Sequence, residues 1–111
     1  MARKLGHVIS LAPEFAEAWN KRATAYYMMG DTRLSAADVR QTLELEPRHF
    51  GALSGLGLLY GQHDKIGAAI KAFEEALAVN PHLRGAQRNL DALREEFKRR
   101  QDNDQSSGKS I

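Results

Sequence analysis

Three prolines, Pro13, Pro47 and Pro81, stand 34 residues apart. A fixed interval of that size marks a repeated structural unit. Sliding the chain by 34 positions tests the idea. Trp19 then falls on Leu53, Ala23 on Gly57, Tyr26 on Tyr60 and Ser35 on Ala69. Val39 falls on Phe73, Thr42 on Ala76 and Leu43 on Leu77. Every pair keeps its size class. The segments ahead of the prolines, VISLAP, TLELEP and ALAVNP, match as well.

Inside each unit the spacing is helical. Phe15, Trp19, Ala23 and Tyr26 step by four, four and three and mark one helix face. Gly30 and Asp31 interrupt it: glycine supplies a left-handed stop, and aspartate caps the next helix. Val39, Thr42 and Leu43 carry a second helix toward Pro47. The next unit repeats this with Leu53, Leu56, Gly57 and Tyr60, then Ile66, Ala69, Ile70, Phe73, Ala76 and Leu77. Each proline follows a helix end, where it cannot continue the helix. Each unit therefore reads as two antiparallel helices of about 12–15 residues joined by a short turn.

The period, the large–small–aromatic spacing on the first helix, the small–large–small spacing on the second and the closing proline resemble the tetratricopeptide repeat. Residues 16–49 and 50–83 are two full units, and the resemblance extends over residues 1–100. It departs at Arg22 and Ala23, where Leu-Gly is usual, at Val39, where a large aromatic is usual, and at Asp64, where a turn glycine is usual. The implied fold is all-α: a right-handed α–α superhelix of about six antiparallel helices in one domain.

The flanks are read from the same register. Residues 1–15 are expected to be a partial preceding repeat and linker, with Leu5, Val8 and Leu11 in the register of Val39, Thr42 and Leu45. That lone helix has no first-helix partner and offers an apolar face for self-association or for a longer array. Leu83, Ala86, Leu90, Leu93 and Phe97 form one stripe of a capping helix over residues 84–100. Residues 101–111 are polar and aperiodic and are expected to be a disordered tail.

Composition narrows the function classes. There is no cysteine, so disulfides, cysteine zinc sites and thiol chemistry are excluded. No apolar run is long enough to span a bilayer, and the opening MARKLGHVIS lacks the apolar stretch of an export signal. The net charge of +2 is an excess of three in one segment, Arg84, Arg88, Arg94, Lys98, Arg99 and Arg100 against Asp91, Glu95 and Glu96, less one from residues 101–111; residues 1–81 are neutral. A nucleic-acid or acidic-surface role through this helix is the weakest binding alternative, since acids interleave the bases and stacking aromatics are missing. His7, His49, His63 and His82 lie far apart in sequence, and Glu74–Glu75 and Glu95–Glu96 are neighbours that point apart on a helix. We find no catalytic motif, so no enzymatic activity, cofactor or metal is expected.

The resemblance implies a protein-interaction scaffold with a concave groove lined by first helices. Its ligand positions fall on Asn20, Thr24, Tyr27 and Met28, then Ser54, Leu58 and Gln62, then Arg88 with Asn89. Amides, hydroxyls and apolar groups suit a peptide or partner protein. The family's carboxylate-gripping positions hold Asn20, Thr24, Gly55, Gly85 and Asn89, without lysine, so an acidic chaperone tail is not the expected ligand. Self-association through the N-terminal helix is the alternative. Gly51, Gly55, Gly57 and Gly61 crowd one helix; only Gly57 has a packing reason visible in the sequence, and the others read as a helix of low intrinsic stability held by tertiary contacts, with close approach of a partner at Gly55 as the alternative.

Overall fold

The computed structural model describes the backbone of residues 1–109 and the side chains of residues 1–104. It contains six helices: α1 (Ala2–Leu11), α2 (Ala16–Met28), α3 (Thr32–Leu45), α4 (Phe50–Gln62), α5 (Ile66–Val79) and α6 (Arg84–Lys109). The described residues contain no strand. Each helix packs on its neighbours in the chain, and α2 also reaches α4. The array is elongated, 61 × 27 × 20 Å. No helix among the described residues is long and apolar enough to cross a membrane.

The boundaries follow from local chemistry. Gly30 takes φ +84° after α2, and the Asp31 carboxylate accepts the Leu34 N–H at 3.1 Å to cap α3. The equivalent turn before α5 holds Asp64 at φ +59°, a left-handed conformation that aspartate tolerates better than most residues. His49 caps α4: its Nδ1 accepts the Ala52 N–H at 3.0 Å. Its Nε2, 3.2 Å from Glu17, donates to that carboxylate, so both bonds select one neutral tautomer.

The core is two clusters, one per junction, rather than one centre. Ala23, Val39, Ala52 and Leu59 form the first, joined by Tyr27, Leu43 and Leu56. Phe73, Ala86 and Leu90 form the second, joined by Leu58, Ile70, Leu77 and Leu93. Local interfaces of this kind are how a stacked repeat is stabilised. The two units use different size pairs at one contact. A Cβ added to Gly57 would lie 2.7 Å from the Phe73 ring, whereas the first unit pairs Ala23 with the smaller Val39.

Arg22 has a partner that was not apparent from the sequence. It donates to Asp38 at 2.8 and 2.9 Å, and its guanidinium lies 5.2 Å from the Trp19 ring centre and 5.6 Å from that of Tyr26. Asp38 is buried, and its hydrogen bond holds the Arg22 pKa above its ordinary value. The second unit replaces this pair with Leu56 and Ala72.

Three expectations need correction. Phe15 does not join the inner face of α2: it is the extended N-cap residue and is 52% exposed. On α1 the buried residue is Ile9, while Val8 and Leu11 turn outward. The last helix does not stop at residue 100 but continues to Lys109, because residues 101–107 contain no proline or glycine to interrupt its ladder. Residues 110 and 111 lie outside the described residues.

Candidate functional site

First helices α2, α4 and α6 face one side and leave two crevices between them. Asn20, Thr24 and Tyr27 of α2 line the first together with Gly51, Gly55 and Leu58 of α4. Its floor includes Ala23, Ser35 and Val39, its volume is about 60 Å³, and its lining carries no charge. The Ser35 hydroxyl donates to the Ala23 carbonyl at 2.7 Å, which satisfies both groups across the α2–α3 contact.

The second crevice, about 470 Å³, lies between α4 and α6. Ser54 and Leu58 line it with Gly85 and Asn89, and Arg84 is its one charged residue. Leu58 and Gly51 belong to both crevices, so they form one continuous track. The Ser54 Oγ is buried without a hydrogen-bond partner among the described residues.

Six of the nine residues named above thus line the track: Asn20, Thr24, Tyr27, Ser54, Leu58 and Asn89. Met28, Gln62 and Arg88 are exposed and line neither crevice; Met28 is 81% exposed. Gly51 was missed. A Cβ there would meet the Asn20 amide and the His49 ring, each at 3.0 Å, so the glycine keeps the helix start close to α2. Gly55 is different: a Cβ would meet only Val39, at an ordinary 3.5 Å. No group of three metal-ligating side chains gathers among the described residues.

Among the described residues, half of the basic side chains of α6 are in ion pairs. Arg94 binds Glu74 at 2.7 Å, Arg99 binds Glu96, and Arg100 bridges Glu96 and Asp64. Hydrogen bonds from Arg100 hold the Asp64 and Glu96 carboxyls below the usual range. Arg94–Glu74 ties α6 to α5, Arg100–Asp64 ties it to the α4–α5 turn, and the Glu96 pairs lie within α6.

Residues 51–83 match the tetratricopeptide repeat family. A tetratricopeptide repeat-containing protein of Rhizobium etli is 40% identical over 93 residues. The match takes in 84% of this chain and 46% of that relative, so the chain spans about half the relative's length. Among solved structures, the first tetratricopeptide domain of Spaghetti, bound to the HSP90 peptide SRMEEVD, aligns with a TM-score of 0.81 at 18% identity. That alignment covers 87% of this chain and 77% of the other. MamA aligns with a TM-score of 0.76 at 22% identity, covering 87% and 57%.

Proposed function

Since the chain belongs to the tetratricopeptide-repeat family, we propose that it is a protein-interaction module whose α2–α4–α6 track binds an extended, uncharged peptide segment of a partner protein. The observation that carries this reading is the continuous track itself. Leu58 and Gly51 join a neutral crevice to a second one that holds the unpartnered Ser54 hydroxyl. Apolar walls take side chains, while Asn20 and Asn89 offer hydrogen bonds to a peptide backbone. The acidic peptide seen in the Spaghetti complex is a poor match in charge for such a track.

Peptides selected from a displayed library test the reading by fluorescence anisotropy. Selected peptides lose roughly tenfold or more in affinity on Leu58→Ala, the loss of a central buried contact. Tyr27→Ala weakens them too. SRMEEVD serves as a charged control and binds weakly. Full binding to both variants overturns the assignment.

Self-association is the second reading, and α1 favours it. Val8 is 38% exposed, whereas its equivalents Thr42 and Ala76 are both 0% exposed beneath their own first helices. Sedimentation at high micromolar concentration tests it; a single monomeric species removes it.

A further inference from the structure

The same place can be compared at three junctions along the array. At the first, between α1 and α2, the Arg22 guanidinium fills the space beside Gly6, under the grip of Asp38. At the third, between α5 and α6, Ile70, Phe73, Leu77 and Leu90 pack together, and the Arg94–Glu74 pair spans the rim. The middle junction, between α3 and α4, lacks both solutions. Ala36 stands for Ile70, Val39 for Phe73 and Leu56 for Arg22. Arg40 and Tyr60 replace the rim pair. What results is an open hollow of about 850 Å³ that shares only Val39 with the neutral crevice.

Its chemistry is the reverse of the first junction. There, an acid holds a cation between aromatic rings. Here, the position of Asp38 is Ala72, and the floor is Val39, Leu43, Leu56 and Leu59. The mouth carries Arg40 from α3 and Lys65 from the start of α5, against one acid, Glu44. Neither Arg40 nor Lys65 is in an ion pair among the described residues. An apolar floor with cations at its mouth calls for an apolar body that ends in an anion. The volume lies inside the range of small-molecule sites, roughly 300–1,000 Å³. An extended peptide would find no row of amides along this lining.

We propose that the hollow between α3 and α4 binds a small amphiphilic carboxylate of the medium-chain fatty-acid type. The chain lies on Leu43, Leu56 and Leu59, and the carboxylate meets Arg40 and Lys65. This site is separate from the peptide track and does not depend on it.

Isothermal titration of the whole chain with sodium decanoate, below its micellar concentration, tests the proposal. One saturable site is expected, with decanol binding more weakly. Arg40→Glu with Lys65→Glu weakens decanoate by roughly tenfold, the equivalent of about 1.4 kcal/mol. Lys71→Glu, an exposed lysine outside the hollow, leaves it unchanged. Ala23→Gly with Val39→Phe copies the Gly57–Phe73 pair into this junction and abolishes binding by filling the space. Arg40 and Lys65 are exposed, so the charge variant folds whatever the filled variant does. No saturable binding overturns the proposal. So does decanol binding as tightly as decanoate, or undiminished decanoate binding in either double variant.

Discussion

Gly57→Ala is the most telling single change in the core. The added methyl would sit 2.7 Å from two Phe73 ring carbons and 2.8 Å from a third. Carbon atoms prefer about 3.5–4.0 Å, so something must move by close to an ångström. Phe73 is 2% exposed and has nowhere to swing. Overpacking of this kind costs about 1–3 kcal/mol, while alanine gains up to about 1 kcal/mol of helix propensity over glycine. The net expectation is a loss of about 0–2 kcal/mol. Phe73→Val removes most of the ring and costs roughly 2–3 kcal/mol, below the 3–5 kcal/mol of a change to alanine. In that background the sign of Gly57→Ala reverses, because the pair now copies Ala23 and Val39. The double-mutant cycle therefore shows a coupling of about 1–3 kcal/mol. Urea unfolding measures it from shifts in midpoint at constant slope. Additivity within about 0.5 kcal/mol would refute the reasoning that the two units use matched size pairs.

Other perturbations follow from the same contacts. Arg22→Leu strands the buried Asp38 carboxylate and destabilises by about 3 kcal/mol, the low end for a broken buried pair because Arg22 keeps some solvent; adding Asp38→Ala restores most of the loss in thermal unfolding. His49→Ala removes the α4 cap and costs about 1 kcal/mol, whereas His49→Asn keeps a cap and most of the stability by the same assay. Asp64 and Glu96 have depressed folded-state pKa values, so their attraction to Arg100 is present above the ordinary carboxylate range. It is lost as pH falls through the depressed values. The difference in melting temperature between the wild type and Arg100→Gln accordingly narrows in acid and in high salt.

The repeat was legible because its signal is written at fixed intervals. Pro13, Pro47 and Pro81, with the size classes between them, mark the helix ends and most of the inward positions of α3, α4 and α5, including Val39, Leu53 and Phe73. Asp31 and Gly30 were legible for a local reason: a stop and a cap act within four residues. Contacts across the array were harder to read. Arg22 looked like a departure from the pattern, since nothing local ties it to Asp38, 16 residues on. An aspartate on the inner face of α3 was the available signal. His49 could be placed at a junction, but its cap to Ala52 and link to Glu17 depend on how α2 meets α4. Gly51 needed the same meeting to gain a reason. The end of α6 differs for another cause: residues 101–107 are polar and aperiodic, a pattern that predicts disorder, yet no proline or glycine among them breaks a helix already under way.

Which surface receives a partner decides between the peptide track, α1 and the hollow. Backbone amide shifts of the isotope-labelled chain, followed as a library-selected peptide is added, address that directly. The account predicts that the largest changes fall on Asn20, Thr24, Tyr27, Gly51, Gly55 and Leu58 and continue to Asn89. Changes confined to α1, or to Arg40, Leu43 and Leu56 in the hollow between α3 and α4, would contradict it.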